Sequence, residues 1–190
     1  MTRRARLEVH PVDAGRWADL ERLFGPSGAY SGCWCMFWRL PSSAFSANGN
    51  AGNRKAMGAL VRSGAVPGLL AYLDGAPVGW VSVAPREAFA RLERSPRLAR
   101  VDDRPVWSVV CFFVARAHRR RGLMRRLLEA AVDYVREQGG RIVEGYPLTV
   151  DDYTGVKGYM GLVRTFRAAG FVEVARPAGQ RVVMRRVIRP

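Results

Sequence analysis

The sequence predicts a single α+β domain, spanning residues 1–190, in which helices are layered against a sheet. The length of 190 residues suits one hydrophobic core, and apolar residues make up 48% of the chain, too many for a disordered protein. Strand-like and helix-like segments follow in a mixed order, with a hairpin before a strand-helix-strand unit. No apolar run reaches the roughly 18 residues that a membrane span needs, so we expect a cytoplasmic protein without a membrane partner.

Strand and helix patterns alternate through the first hundred residues. Residues 7–12 alternate like a strand, and residues 14–24 carry Trp17, Leu20 and Phe24 at helical spacing. Asp74-Gly75-Ala76-Pro77 is typical of a hairpin turn. The other predictions are loops at 25–31 and 41–52, a helix at 54–62, hairpin strands at 68–73 and 78–84, and a short helix at 87–92.

The second half contains the longest strand and the clearest helix. Residues 106–114 form a long β-type run, and apolar side chains at three- and four-residue steps predict a helix over 122–138. Gly139-Gly140 ends that helix. The later predictions are strands at 142–148, 171–175 and 181–187 and a helix at 160–169 that ends at Gly170. Residues 106–148 therefore form one β-α-β unit.

Arginines crowd the junction between the long strand and this helix. Five of them fall among the eight residues from Arg119 to Arg126, at a helix N-terminus, which carries partial positive charge and normally attracts acidic residues. A bound anion would compensate for the repulsion, and Gly122 would let a pyrophosphate approach the backbone. The other interpretation is a solvated basic helix face. Neither a Walker A loop nor the three-glycine dinucleotide pattern is present.

The segment Arg119-Arg120-Arg121-Gly122-Leu123-Met124 resembles motif A of the GNAT (N-acetyltransferase) superfamily, with Met124 in place of the usual small residue. Gly79-Trp80-Val81 in the hairpin and Gly170-Phe171 after the later helix are similar to further GNAT motifs. The block Cys33-Trp34-Cys35-Met36 also resembles an uncharacterised GNAT subgroup. The resemblance covers residues 67–176. It implies a mixed, mostly antiparallel central sheet with a splayed β-α-β coenzyme A site and helices on both faces.

The resemblance also implies acetyl-coenzyme A (acetyl-CoA) as the acyl-donor cosubstrate. In GNAT proteins the end of the long strand contacts pantetheine through its backbone, and an N–H near Phe113 or Val114 would polarise the thioester carbonyl. The start of the helix would hold the pyrophosphate. The candidate cofactor-binding residues are Phe112, Phe113, Val114, Arg119, Arg120, Arg121, Gly122, Leu123, Met124, Arg125 and Phe166.

Two residues are candidates for activating the acceptor amine. Ser108 stands where many GNAT proteins have a carboxylate base, and a hydroxyl there cannot act as a base unaided. Glu144 occupies the place of the base in N-terminal ribosomal-protein acetyltransferases. An apolar environment would raise the pKa of Glu144 toward what a general base requires. The alternative is that Glu144 forms an ion pair with one of the many arginines.

The proton donor to the coenzyme thiolate is also unusual. Phe166 replaces the tyrosine that normally protonates the thiolate in GNAT proteins. Tyr146, Tyr153, Tyr159 or water would then have to serve. The candidate catalytic residues are Glu144, Ser108 and Tyr159.

The aromatic block after residue 32 is typical either of an acceptor pocket or of a core. The candidate substrate-binding residues are Trp34, Trp38, Trp80, Arg86 and Tyr146. Cys33 and Cys35 are either reactive or buried and inert. With three cysteines and two histidines in the chain, a zinc site would need nearly every soft ligand, so we expect no metal.

The formal net charge of +15 favours anionic partners, namely a phosphorylated cofactor, an acidic substrate or nucleic acid. Together with the resemblance, it favours an N-acetyltransferase that acts on a primary amine of a small molecule. The alternatives are a GNAT toxin that acetylates aminoacyl-tRNA, and a non-catalytic coenzyme- or nucleic-acid-binding module. The sequence leaves the oligomeric state open between monomer and homodimer.

Overall fold

The computed structural model describes residues 6–149 and 156–189, without the side chains of residues 156 and 157. One seven-stranded sheet runs through it in the order β1-β2-β3-β4-β5-β7-β6. The strands are β1 (Leu7–Pro11), β2 (Gly68–Leu73), β3 (Ala76–Pro85), β4 (Trp107–Val114), β5 (Ile142–Gly145), β6 (Val172–Ala175) and β7 (Val183–Val187). Among these strands β4 and β5 are parallel, and every other neighbouring pair is antiparallel. The mixed, mostly antiparallel sheet is therefore confirmed.

Helices cover both faces of the sheet, as the resemblance implied. Those described are α1 (Trp17–Phe24), α2 (Ser42–Arg62), α3 (Ala90–Glu93), α4 (Leu123–Glu137) and α5 (Val163–Ala168). Leu127 and Leu128 of α4 pack with Phe166 of α5 in the core on one face. Phe24 of α1 and Met57 of α2 pack on the opposite face. None of the helices in the described ranges is long and apolar enough to cross a membrane.

The sequence predicted most elements within a few residues. The hairpin strand at 68–73 is β2 itself, the long strand at 106–114 is β4, and the helix at 122–138 is α4. Two C-terminal elements are shorter than expected, because 142–148 is a strand only to Gly145 and 160–169 is an α-helix only from Val163. The preceding residues Val156–Met160 form a 3-10 helix instead.

The loop predicted at 41–52 was wrong, because these residues begin α2. Its Ser, Asn and Gly residues have low helix propensity, and the helix is broken at Gly49, whose φ is 55°. Tertiary hydrogen bonds hold this half of α2 in place. The Asn50 amide accepts from the indole N–H of Trp34 (2.6 Å) and donates to the carbonyl of Pro26 (2.8 Å), and Asn53 donates to the carbonyl of Gly32 (3.0 Å). Contacts that are distant in sequence thus override local propensity.

Strands β4 and β5 separate after a short parallel contact, which creates a gap in the sheet. Pairing covers Trp107–Val109 of β4 and Val143–Gly145 of β5. β4 continues to Val114, whereas Pro147 follows β5 and lacks the N–H that a ladder needs. The chain beyond it turns to bridge Leu148 with Leu162 and Arg181. Past Val109, no described strand pairs with β4 on this side.

Gly145, the last residue of β5, is needed because the ring of Phe166 lies against its backbone. A Cβ built on Gly145 would overlap that ring. Phe166 is fully buried, so its ring cannot shift outward into solvent. We therefore expect Gly145→Ala to lower the free energy of unfolding by about 1–3 kcal/mol, measured by chemical denaturation. Gly15→Ala is the control, since its Cβ would make only an ordinary contact with Asp13. Equal stability of the two variants would contradict this packing argument.

Candidate active site

The start of α4 presents a run of unpaired backbone N–H groups. Gly122 precedes the helix with a left-handed φ of 74°, and Arg120 also has a positive φ of 62°. Within residues 6–149 and 156–189, no atom accepts a hydrogen bond from the N–H groups of Arg120 to Met124. The first turn contains no acidic residue and no side-chain cap. Such a turn of free donors at a positive helix end is suited to an anion.

The arginines around this turn divide into bound and unpaired groups. Arg119 donates through Nε to the carbonyl of Val114 (3.0 Å), which ties the loop to the end of β4. Arg125 pairs with Glu129 one turn along the helix (2.8 Å). Arg120, Arg121 and Arg126 are exposed and form no ion pair with a described residue. Their uncompensated charge is what the sequence pattern indicated.

The backbone of β4 directs a second set of donors into the gap. Ala115 N–H donates to the carbonyl of Val78 (2.9 Å), so this pair is hydrogen-bonded across β3 and β4. Hydrogen-bonded pairs alternate along an antiparallel ladder, which turns the N–H of Phe113 toward β3 and those of Phe112 and Val114 away from it. The carbonyl of Val114 points the same way, since it receives Arg119 from that side. Phe112 and Val114 therefore offer their backbone to the gap.

The structure does not place Phe113 and Phe166 as the cofactor contacts that the sequence predicted. The N–H of Phe113 faces β3, and its ring packs against Phe24 with centroids 5.8 Å apart. Phe166 is fully buried and packs edge-on against Phe112 and Phe171. Neither side chain is presented to a ligand in the gap. Leu123 is likewise a core side chain, and Met124 packs against the same core, so both would serve through their backbone.

Glu144 lies in a buried ion-pair network, which was the alternative left open by the sequence. Its Oε1 accepts from Nη1 of Arg86 (2.9 Å) and its Oε2 from Nε of Arg185 (2.7 Å). The hydroxyl of Tyr146 also donates to Oε1 (2.6 Å). Glu144 is 1% exposed and both arginines are buried. Both carboxylate oxygens are thus occupied by cations, which leaves no oxygen free to take a proton from an amine.

Arg86 and Tyr146 extend this buried network and therefore do not line an acceptor pocket. Arg86 is fully buried and also binds Glu93 (2.6 Å) and the carbonyl of Leu98 (2.7 Å). Burial alone lowers the pKa of Arg86, but Tyr146, Glu93 and Glu144 raise it on balance. Burial and the Glu144 charge raise the pKa of Tyr146 far above its usual value, so it stays a donor. Because Arg86 and Tyr146 are both fully buried, they do not make the substrate contacts that the sequence predicted.

Ser108 belongs to the same buried network and reaches no ligand. Its hydroxyl shares a hydrogen bond with the hydroxyl of Tyr146 (2.8 Å), and the residue has no exposed surface. Ser108 lies directly opposite Glu144 in the parallel pair. The position where the resemblance led us to look for a base is therefore part of an internal hydrogen-bond network.

Two of the tryptophans also prove to be core residues. Trp80 is fully buried and donates its indole N–H to Sγ of Cys35 (3.0 Å). Trp34 is 3% exposed, donates to Asn50 and packs on Trp17 and Phe24. Their large apolar rings fill the space between α1, α2 and the sheet. The core interpretation of the aromatic block is thus the one the structure supports for Trp34, and Trp80 of β3 is a core residue as well.

Trp38 and Tyr159 remain accessible beside the central strand. Both are partly exposed and lie together with Cys111 of β4 against the cluster that contains Val110 and Met160. The indole N–H of Trp38 is buried without a hydrogen-bond partner among the described residues. Burial raises the pKa of Tyr159 to about 12, so its phenol keeps its proton at neutral pH. Tyr153, the third tyrosine considered, lies outside the described residues.

Some residues of this site were missed in the sequence. Arg185 and Asp102 join the network through a 2.7 Å ion pair, although they are 83 positions apart. Cys111 meets Cys35 from a distance of 76 positions. No local pattern marks either pair. Among the described residues, no group of three or more His, Cys, Asp or Glu side chains could hold a metal ion.

Comparisons with known proteins identify a family and a shared fold. The model of the acetyltransferase (GNAT) family matches residues 34–149. A GNAT-family acetyltransferase from Streptococcus pneumoniae has 15% identity over 96% of this chain and all of its own, with a TM-score of 0.56. Aminoglycoside N-acetyltransferase AAC(6')-Iy in complex with CoA has 14% identity over 94% and 96%, with a TM-score of 0.56. PaiA N-acetyltransferase from Thermoplasma acidophilum in complex with coenzyme A has 11% identity over 96% and 99%, with a TM-score of 0.54.

A sheet opened between two parallel strands, with a free helix N-terminus beside the opening, belongs to the fold shared with the solved GNAT-family acetyltransferase. No curated protein matches this chain in sequence. The family model nevertheless covers more than half of the residues. The chain belongs to the GNAT acetyltransferase family.

Proposed function

We propose that this protein is an acetyl-CoA-dependent N-acetyltransferase that acylates a primary amine of a small molecule. One observation carries the proposal: free N–H groups lie at the end of β4 and at the start of α4, which the loop 115–122 joins, next to the unpaired Arg120 and Arg121. Donors arranged along one opening fit a ligand with a pyrophosphate at one end and amide and thioester carbonyls at the other. Solved GNAT structures with CoA bound support this fit.

Acetyl-CoA would supply an activated acyl group as a thioester. The N–H groups of Arg120 to Met124, with Arg120 and Arg121, would hold the pyrophosphate. The backbone of Phe112 and Val114 would align the pantetheine arm and polarise the thioester carbonyl. These donors are fixed by β3 pairing and by the α4 turn, so they need little rearrangement when the donor binds.

Tyr159 is our proposed proton donor to the departing thiolate. It lies against the part of β4 that follows the bulge between Val109 and Cys111. A phenol with a pKa of about 12 is protonated at every pH at which an amine acetyltransferase works, so it can give a proton and cannot serve as the base. Because both carboxylate oxygens of Glu144 are held in ion pairs, water would deprotonate the acceptor amine.

Replacing Tyr159 with Phe is expected to lower kcat about 10- to 100-fold, because the thiolate then leaves without a positioned proton donor. KM for acetyl-CoA should change little, since the phenol does not contact the pyrophosphate donors. Steady-state release of free thiol measures both constants. Tyr134→Phe on α4 is the control, since its ring packs on Trp107 at the other end of β4. An unchanged kcat in Tyr159→Phe would remove this residue from the mechanism.

The activity itself is tested by incubating the protein with acetyl-CoA and a panel of amines. The panel should contain aminoglycosides, polyamines, amino acids and a peptide with a free N-terminus. Thiol release above the rate of hydrolysis, with a mass increase of one acetyl group on the amine, is the expected result. Calorimetry should detect CoA binding. Absence of binding would end the proposal, whereas binding without turnover would favour the non-catalytic module.

The exposed arginines give a second candidate function some weight. Arg120, Arg121 and the net charge of +15 also suit an acceptor that carries phosphates, such as aminoacyl-tRNA. That function requires tRNA binding whose affinity falls steeply between low and moderate salt. Acetylation of a small amine with salt-independent KM favours the leading proposal instead.

We further propose a cytoplasmic protein that forms one domain over residues 1–190. The three cysteines are free thiols in the structure, as is usual in a reducing compartment. The continuous sheet joins β1 near the N-terminus to β6 and β7 near the C-terminus. Cooperative, single-step unfolding is the expected behaviour of such a domain.

A further inference from the structure

Two thiols, those of Cys35 and Cys111, meet on the face of the sheet that α1 and α2 cover. Sγ of Cys35 lies 3.4 Å from Sγ of Cys111, which is about the distance at which two sulfur atoms touch. Cys35 belongs to the segment before α2, and Cys111 belongs to the central strand. The indole N–H of Trp80 donates to Sγ of Cys35 (3.0 Å), so the thiol hydrogen of Cys35 is left to point toward Cys111.

The backbone that holds Cys35 in this position is strained. Trp34 and Cys35 are consecutive non-glycine residues with positive φ values of 47° and 53°. Each such residue costs about 1–2 kcal/mol and persists only where the surroundings enforce it. The enforcing contacts are the hydrogen bond from Trp34 to Asn50 and the packing of Trp34 on Trp17. Sγ of Cys35 is therefore held against β4 by the fold.

The two thiols differ in access to solvent. Cys35 is 5% exposed, whereas Cys111 is partly exposed and packs, like Tyr159 and Trp38, against the cluster that contains Val110. The hydrogen bond to Cys111, together with burial, raises the pKa of Cys35, so Cys35 remains a thiol that donates. A partly exposed thiol with a second, buried thiol in contact with it is the arrangement found where oxidation ends in a disulfide.

We infer that Cys111 and Cys35 form an oxidative modification site, in which a peroxide converts the thiol pair into a disulfide. Hydrogen peroxide first oxidises Cys111 to a sulfenic acid, and one molecule of water leaves. Sγ of Cys35 then attacks Sγ of Cys111, the S–O bond breaks, and the thiol proton of Cys35 leaves with the hydroxyl as a second water. Two thiols and one peroxide thus give one disulfide and two waters. The inference is independent of acyl transfer.

Cys33 provides the matched comparison, because it lies two positions from Cys35 and is also partly exposed. Burial raises the pKa of Cys33 to about 11. Among the described residues, Cys35 forms a hydrogen bond to another cysteine sulfur, whereas Cys33 does not. Cys33 is therefore expected to take no part in the disulfide.

The test treats the reduced full-length protein with hydrogen peroxide, blocks remaining thiols with iodoacetamide and digests it without reductant. The expected product is a peptide that joins Cys111 to the segment containing Cys35, lost on treatment with dithiothreitol. Cys33→Ser should retain this product, and Cys35→Ser and Cys111→Ser should lose it. Cys35→Ser should instead accumulate a sulfenic acid on Cys111 that dimedone traps.

A second readout is the thermal midpoint of unfolding, because the crosslink would close a loop between positions 76 apart. The oxidised wild type and Cys33→Ser should both unfold several degrees higher than their reduced forms. Cys35→Ser should show no such rise, and its reduced circular dichroism spectrum checks its fold. A crosslink that persists in Cys35→Ser, or a wild type in which Cys111 stays reduced or passes directly to sulfinic acid, would overturn the inference.

Discussion

Replacing Arg120 and Arg121 together with Ala is expected to weaken CoA binding about 100-fold or more, measured by titration calorimetry. Each charge-assisted hydrogen bond to a phosphate is worth roughly 1.5–3 kcal/mol, and neither guanidinium has another partner among the described residues. Both side chains are exposed, so their removal should not lower the stability of the protein. The repulsion they exert at the positive end of α4 should in fact be relieved.

A matched control separates this local effect from a general loss of positive charge. Arg94 and Arg97 are also exposed and unpaired among the described residues, and they flank Leu92 and Leu98 on the face of the sheet opposite α4. The double replacement Arg94→Ala, Arg97→Ala removes the same charge and should weaken CoA binding less than about threefold at physiological salt. Equal losses in the two double variants would mean that only long-range attraction acts. The phosphate site at α4 would then have to be abandoned.

The donor side of the site was predictable from sequence because its signals are local. The β-run before residue 114, the glycine at 122 and the helical spacing from Leu123 are consecutive in the chain, and the arginines are concentrated between them. Strand end, turn and helix start are therefore brought together by the β-α connection itself. The strand and the helix each begin within one residue of where the sequence predicts them.

The choice among neighbouring backbone donors could not be predicted in the same way. A shift of one residue in a strand reverses which groups face which neighbour. The sequence shows a long β-run, but the pairing of Gly79 with Val114 decides that Phe112 and Val114, rather than Phe113, face the gap. The bulge between Val109 and Cys111 changes the alternation once more. Register is a property of the assembled sheet.

The acceptor side was predicted least well, because buried and exposed aromatic residues look alike in a sequence. Trp34, Trp38 and Trp80 have the same chemistry, yet only Trp38 retains solvent access. Arg86 was expected to contact the substrate, since most arginines are accessible, and is instead fully buried between two carboxylates. Partners 7 and 58 positions away determine its burial. No local window contains that information.

Glu144→Gln is expected to lower the free energy of unfolding by about 3–5 kcal/mol, because it leaves Arg86 and Arg185 buried with too little negative charge. The amide has nearly the same shape as the carboxylate, so the loss reports the charge rather than the packing. Glu173→Gln is the control, since it breaks an exposed ion pair with Arg176 and should cost no more than about 1 kcal/mol. Urea denaturation of the three proteins measures these differences.

The same variant decides between the two roles that the sequence allowed for Glu144. If the carboxylate only positions β5 against β7, the fraction of Glu144→Gln that remains folded should acetylate its acceptor with kcat within about threefold of wild type. Adding Arg86→Met should then recover part of the lost stability, because the unpaired cation is removed as well. A general base behaves differently: its loss lowers kcat by about 100-fold or more even in fully folded protein. A stable but inactive Glu144→Gln variant would therefore identify Glu144 as a catalytic residue.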